Sequence, residues 1–202
     1  MTSRREFLQI GIAASTWPLA TQTARAAGIP GLATALRSEP VPLYTVVYDT
    51  RFPESVAFGS RAAALGARVH AIDGDMTRLW FDDIYHRWKQ APVAIAGLTA
   101  HGPLFCFERL AWDQGLRVVF RAEHGADPGR PAHAITGPTG LLGAARDAVA
   151  RADWSVAMAD VVTRCASGGA EIGSLCVAAT ATGTLATESL FSWIIAPAAA
   201  RA

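Results

Sequence analysis

Several residue patterns that mark common functions are missing from this 202-residue sequence. The three cysteines include no pair at C-x-x-C spacing and the five histidines include no H-E-x-x-H motif, so the sequence predicts no zinc, haem or iron–sulfur site. No Gly-Xaa-Ser-Xaa-Gly motif supports a serine hydrolase. No apolar run reaches the ~18 uncharged residues that a membrane-spanning helix needs. We therefore expect no metal, no cofactor and no membrane span in the mature chain.

Charge is also sparse. Charged residues make up 17% of the chain and hydrophobic residues 51%, which is typical of a globular protein with a substantial core. Only one lysine, Lys89, is present. Without residues 1–26 the chain holds 15 basic and 16 acidic residues. A net charge near zero gives no basic field for nucleic acid or for an anionic membrane surface.

The N-terminal 26 residues have the three parts of a secretory signal: a basic start, a short apolar middle and a small-residue exit. The hexapeptide Ser3-Arg4-Arg5-Glu6-Phe7-Leu8 resembles the twin-arginine signal S-R-R-x-F-L-K, and Gln9 departs from it. Ala24-Arg25-Ala26 has the small-x-small pattern of a cleavage site. The resemblance implies that Arg4 and Arg5 are recognised by the twin-arginine (Tat) translocase, and that the folded chain is exported to the periplasm. Residues 27–42 are predicted to be a linker.

A repeating pattern begins at Leu43. Four apolar runs alternate with three helix-length amphipathic segments as far as His124; the runs are LYTVVYD, ARVHAID, APVAIAGLTA and LRVVFRAEH. Strands separated by helices of this length form parallel pairs with right-handed crossovers. We therefore predict that residues 43–202 form a single α/β domain. The domain is expected to have three layers, with helices on both faces of a mostly parallel sheet. The sheet is expected to be doubly wound, flavodoxin-like or Rossmann-like, with strand order 2-1-3-4.

The remainder of the chain is less regular. Residues 125–138 are rich in proline and glycine and predict a long loop, and residues 141–152 and 154–166 predict two helices. The runs SLCVAATATG and SLFSWIIAP predict two strands that pair as an antiparallel addition at the edge of the sheet. Cys165 and Cys176 lie close enough in sequence to form a disulfide in an oxidising compartment.

Two local patterns resemble families that bind nucleotides or phosphate. TGPTGLLG at residues 136–143 matches the T-G-x-x-G-x-x-G turn of extended short-chain reductases, but Pro131 weakens the preceding strand and no acid-terminated strand follows. A helix start with glycines for close packing explains the pattern better. VVYDTR resembles the start of haloacid-dehalogenase-like phosphatases. Their second acid is Arg51 here, so the sequence does not support that family.

Polar residues follow the predicted strands, and these define a candidate site. In an open parallel sheet, ligands bind beyond the carboxyl ends of the strands, where the strand order reverses. Strands one and three flank that point, so we expect Asp49, Arg51, Thr99 and His101 to line one crevice. The N-termini of two helices open there and favour an anion. The hypothesis makes His101 a proton carrier that Asp49 orients, and gives ligand binding to Arg51 and Thr99.

Two functions of different classes remain open. The first is an exported, non-catalytic accessory protein or small subunit of an extracytoplasmic enzyme, with redox enzymes among the candidates. An export signal on a chain without a cofactor motif favours this function, and the aromatic residues suffice for a contact face. The second is a small periplasmic enzyme or binding protein that acts on an anionic metabolite in the predicted crevice. The sequence slightly favours the accessory protein, and it does not decide whether the chain is an enzyme.

Overall fold

The computed structural model describes residues 42–125, 132–164, 171–178 and 188–197. The predicted signal peptide and all of the predicted linker except its last residue lie outside these ranges, so both remain predictions. The described residues form a mixed α/β structure around a single seven-stranded sheet. Within them, no helix combines the length and the apolar character needed to cross a membrane.

Strands and helices alternate through the first half of the domain. The elements, in chain order, are β1 (Leu43–Asp49), α1 (Pro53–Ala64), β2 (Val69–Ile72), α2 (Thr77–Leu79), a π-helical turn (Trp80–Ile84), α3 (Tyr85–Gln90), β3 (Ala94–Ala100), α4 (His101–Trp112), β4 (Leu116–His124), β5 (His133–Pro138), α5 (Thr139–Val149), α6 (Trp154–Thr163), β6 (Ile172–Val177) and β7 (Leu190–Pro197). Gly66 and Gly115 follow α1 and α4 with φ of 86° and 72°, the left-handed conformation that glycine adopts at helix ends.

The strand order is β2-β1-β3-β7-β4-β5-β6. Strand β1 is parallel to β2 and β3, which confirms the predicted 2-1-3 order. The expected pairing of strands three and four is wrong, because β7 lies between them and is antiparallel to both. The β4-β5-β6 part is also antiparallel, so the sheet is parallel only at its β2-β1-β3 end.

The second half of the domain corrects two further predictions. Strand β7 was expected at the edge of the sheet but lies at its centre, where seven of its eight residues are buried. A strand without charge that is apolar on both faces gains most by being covered on both. Residues 133–138 were expected in a loop but form β5, which pairs with β4 on one side and β6 on the other. Pro131 precedes this strand and so removes none of its backbone donors.

TGPTGLLG spans the end of β5 and the start of α5. The predicted helix start is confirmed, and the strand before it is real. A Cβ on Gly137 would lie 2.6 Å from the ring of Phe120, whereas Gly140 and Gly143 face open space. Close packing therefore explains the glycine at position 137 but not those at positions 140 and 143.

Side chains on the two faces of the sheet form two hydrophobic clusters. On one face, Ile194 packs with residues of α1, α5 and α6. On the other face, Trp193 packs with residues of α4, α3 and the π-helical turn. Trp80, Ile84 and Trp88, which recur every four residues, are buried in this second cluster. Each fully buried side chain of this kind contributes about 1.5–3 kcal/mol relative to exposure.

Candidate functional site

The predicted crevice residues lie at the carboxyl ends of two neighbouring strands. Asp49 is the last residue of β1, Thr99 is the next-to-last residue of β3, and His101 is the first residue of α4. Tyr48 pairs with Leu98, so the residues that follow them reach the same edge of the sheet. The structure therefore brings these positions to one edge, as the sequence predicts, although their side chains have different surroundings.

Asp49 and Arg51 form an ion pair. Arg51 Nε donates to Asp49 Oδ1 at 2.9 Å and Arg51 Nη2 donates to Asp49 Oδ2 at 2.7 Å. The carboxylate is fully buried while the Arg51 side chain is 45% exposed. A buried carboxylate is costly unless a charged donor compensates it, and this bidentate contact does so. Hydrogen bonding to Asp49 raises the pKa of Arg51 above its ordinary value. Two of the five guanidinium N–H donors that could bind a ligand are therefore used by Asp49.

The loop after β1 is held by buried hydrogen bonds. The Ser55 hydroxyl accepts from the Asp49 amide at 2.7 Å and donates to the Leu98 carbonyl, which joins β1, α1 and β3. Gly74 has φ of 93°, and a Cβ there would lie 2.5 Å from Arg51 Cζ. The guanidinium therefore lies against the backbone of the β2–α2 turn, and only glycine fits under it.

Thr99 is fully buried. Its hydroxyl accepts a hydrogen bond from Trp193 Nε1 at 3.1 Å and donates to the Ala100 carbonyl at 3.0 Å. This arrangement satisfies the indole N–H inside an apolar cluster, as buried polar groups require. Thr99 thus anchors Trp193 of the central strand.

His101 is exposed at the start of α4. Its ring stacks on Phe105, with centroids 6.1 Å apart, and contacts the edge of Phe191 at 5.4 Å. The structure shows no hydrogen bond between His101 and Asp49, both of which lie in the described residues. The relay that the sequence suggested would therefore require a rearrangement of the Asp49–Arg51 pair.

Carboxylates dominate the neighbouring cleft beside β2 and α2. It has a volume of about 670 Å³ and its ionisable lining residues are His70, Asp73, Asp75, Arg78, Asp82 and Asp83. Several of these acids have protein partners: Asp75 accepts from the Thr77 amide, and Asp83 accepts from the Tyr44 hydroxyl. No group of three or more potential metal ligands occurs among the described residues. Four aspartates and one arginine give the lining of this cleft a negative net charge, which disfavours an anionic ligand.

A buried polar cluster at the same edge was missed by sequence reasoning. His124 Nδ1 lies 2.8 Å from His133 Nδ1, and His124 Nε2 lies 2.7 Å from Ser192 Oγ. The Trp154 ring covers His124 with centroids 4.1 Å apart. His124 and His133 are direct cross-strand partners in the β4–β5 pairing. A hairpin prediction for residues 125–138 would have placed them opposite each other, but the prediction of a loop separated them.

Serine, histidine and histidine in hydrogen-bonded order resemble a nucleophile, its base and an orienting group. Ser192 is fully buried, however, so its hydroxyl cannot reach a substrate in this structure. Burial lowers the pKa of His133, and burial followed by the proximity of His133 lowers that of His124 well below the ordinary value. The hydrogen bonds and ring contacts of this cluster thus connect β4, β5, β7 and α6 through uncharged side chains.

An apolar groove lies between α2 with the π-helical turn and α4, and we name it the α2–α4 groove. Its volume is about 380 Å³, and it is lined by Met76, Thr77, Trp80, Phe81, Phe105, Cys106, Arg109 and Leu110. Phe81 is 60% exposed and Phe105 is 51% exposed. One turn beyond the groove, Trp112 is 44% exposed. Sequence periodicity did not reveal this surface because it lies between two separate helices.

Comparison with known protein families, curated proteins and solved structures finds no match to this chain. Cys176 is exposed on β6, and Cys165 lies outside the described residues, so their disulfide stays a prediction.

Proposed function

We propose that this protein is an exported, non-catalytic accessory protein that binds an extracytoplasmic protein partner, an enzyme for which it serves as a small subunit. The single observation that carries the proposal is the α2–α4 groove with Phe81, Phe105 and Trp112 exposed around it. Large exposed aromatic groups around an apolar depression are a feature of binding surfaces. Tryptophan and arginine are enriched among residues that dominate binding energy, and aromatic residues among those at interfaces in general.

The other exposed apolar residues of the described ranges have a different distribution. Val56 and Leu65 lie on or just after α1, and Ile172 lies on β6. Single exposed aliphatic residues are ordinary on protein surfaces. The groove therefore differs from the rest of the described surface in gathering its large aromatic residues together.

The alternative, a site for an anionic metabolite at the carboxyl edge, has weaker support. Arg51 is held by Asp49, and the negative charges of Glu188 and Asp73 act on the same guanidinium. Thr99 is sealed against Trp193. An anion at Arg51 would share the guanidinium with Asp49 and would lie in the negative field of Asp49, Glu188 and Asp73. His101, exposed at the N-terminus of α4, and Arg51, whose side chain is 45% exposed, remain accessible.

Export and location are part of the proposal. The Tat translocase would be the first partner, through Arg4 and Arg5, and the periplasm the final compartment; the motif at residues 3–8 supports both. A doubly wound, flavodoxin-like or Rossmann-like arrangement of the first half is also proposed. Its support is the β2-β1-β3 order with helices on both faces.

The proposal is tested by affinity purification of tagged mature protein from the periplasm of its native host. The unaltered protein is compared with the double variant Phe81→Ser/Phe105→Ser and with Ile172→Ser, which replaces an equally exposed apolar residue on β6. We expect one partner, identified by mass spectrometry, to be recovered with the unaltered protein and Ile172→Ser. The amount of this partner recovered with the groove variant should be lower by a factor of about 10 or more. Equal recovery with all three proteins contradicts the proposal.

A further inference from the structure

We infer that the α2–α4 groove receives a single amphipathic α-helix of the partner, with an apolar stripe against the groove and a carboxylate against Arg109. This inference rests on the proposed function and specifies the chemistry of the partner.

The shape of the groove fits a helix. Helical segments form both walls, and a third helix packs into such a depression by placing its side-chain ridges between theirs. On α4, Phe105, Arg109 and Trp112 occupy positions i, i+4 and i+7 of the outer face. At 1.5 Å per residue this stripe is about 10 Å long. Two turns of a partner helix, with apolar anchors at i, i+3 or i+4, and i+7, match that length.

The charge of the groove indicates which polar residues of a partner would bind there. Arg109 is the one charged residue among those lining the groove, and it forms no ion pair with any carboxylate of the described residues. Its guanidinium lies over the Trp112 ring, with Cζ 4.1 Å from the centroid, and Arg117 approaches the same ring at 5.8 Å. Guanidinium N–H groups pair bidentately with carboxylates. Asp82, beside Phe81, is already paired with Arg78.

A second copy of this chain fits the groove less well. In a two-fold symmetric contact the same surface patch meets itself. Packing α4 against its own copy would place the two Arg109 side chains at the same interface. Like charges brought together in this way oppose association, whereas an acidic helix removes the conflict.

The test uses two synthetic peptides of about 18 residues, constrained to be helical by a side-chain cross-link. Both carry the same leucine stripe; one has glutamates beside the stripe and the other has lysines. Fluorescence anisotropy measures their binding to the mature protein, and thermal unfolding checks that every variant is folded. We expect the glutamate peptide to bind at least about tenfold more tightly, and Phe105→Ser to abolish that binding.

Charge reversal provides the decisive comparison. Arg109→Glu should reverse the order of the two peptides. Arg146→Glu, which makes the same change of net charge on α5, should leave the order unchanged. Equal affinities of the two peptides, or no binding of either peptide, contradict the proposal of an acidic helical partner. Dimerisation of the mature protein that Phe105→Ser abolishes also overturns it, in favour of a second copy. The proposed function fails separately, when recovery of the native partner does not depend on Phe81 and Phe105.

Discussion

At the scale of single residues, the pair of buried histidines has the clearest physical consequence. The 2.8 Å between the Nδ1 atoms of His124 and His133 requires one proton between them, so one nitrogen donates and the other accepts. Ser192 completes the chain on the far side of His124. Since both rings are buried, an added positive charge would lose its hydration without gaining an opposite charge.

This arrangement predicts a loss of stability in mild acid. The pKa values of both histidines are lowered in the folded state, so the unfolded chain binds protons first as the pH falls. The stabilisation is fully present above the ordinary histidine pKa of about 6.5 and declines below it, by up to about 1.4 kcal/mol per pH unit for each histidine. Urea unfolding between about pH 7 and pH 5 measures the slope.

The variants make this prediction specific. The double variant His124→Gln/His133→Gln should be less stable near pH 7 but should show a flatter pH dependence. The exposed His86→Gln should retain the slope of the unaltered protein. Asp160, whose pKa is lowered mainly by its hydrogen bond from Arg61, begins to lose stabilisation only below about pH 4, so it does not interfere. A slope that is the same in all three proteins would exclude the histidine pair as the cause.

The sequence predicted which residues lie at the strand ends, but it did not predict which groups their side chains contact. The pattern of strand ends identified Asp49 and Arg51, and both lie where it placed them. Whether an arginine binds a ligand or a neighbouring acid depends on the path of its side chain. That path is set by Gly74, 23 residues further along the chain, whose missing Cβ makes room for the guanidinium. No local pattern around Arg51 contains this information.

At the scale of elements, two glycines differ in the space around them: one in the sheet leaves no room for a Cβ, and one in a helix does. A Cβ on Gly97 in β3 would lie 2.6 Å from Trp193 Cζ2 and 2.6 Å from the Val47 carbonyl oxygen. The carbonyl is backbone of the neighbouring strand and cannot move without breaking the β1–β3 register. Gly143, inside α5, has no atom within 4 Å of its would-be Cβ.

The same substitution should therefore act in opposite directions. Gly97→Ala forces apart β3 and its neighbours, and we expect a loss of about 1–3 kcal/mol as in other overpacked cores. Gly143→Ala should gain about 0.5–1 kcal/mol, because alanine is the better helix former and nothing obstructs it. Both values come from urea unfolding at neutral pH. A stable Gly97→Ala protein would mean that both Trp193 and the β1 backbone at Val47 can shift, and a destabilised Gly143→Ala would mean that α5 is covered.

Element positions were predictable where neighbours in sequence are neighbours in space. Crossovers of helix length predict that β1, β2 and β3 are parallel, but they do not determine that β1 lies between β2 and β3. The position of β7 could not be derived in this way, because its pairing with β3 joins residues about a hundred positions apart. Its lack of charge indicates a strand buried on both faces, but every gap between the central strands would satisfy that requirement.

At the scale of the whole molecule, β7, the last strand of the described residues, completes both cores. Ile194 belongs to the cluster beneath α1, α5 and α6, whereas Trp193 belongs to the cluster beneath α4. Until residues 190–197 have been synthesised, β3 and β4 lack their common partner. Folding thus depends on contacts between distant parts of the chain, and this part of the sheet can form only after residues 190–197 are present.

This topology connects folding to the predicted export route. Ile194→Asp places a carboxylate at a position that is 2% exposed in the central strand, among buried apolar residues, so the precursor should not fold. A twin-arginine translocase carries folded chains, and it should reject this precursor. Arg4→Lys/Arg5→Lys should instead leave a folded precursor in the cytoplasm, while the unaltered chain reaches the periplasm and begins at Ala27.

Cell fractionation with immunoblotting distinguishes these outcomes, and N-terminal sequencing of the periplasmic protein locates the cleavage site. The matched control is Ile172→Ser, a change at an exposed position of β6 that should be exported normally. Export of the Ile194→Asp chain would show that an unfolded precursor is accepted. The general secretory route threads unfolded chains, so that result would reassign residues 1–26 to it and remove the requirement that β7 be in place before transport.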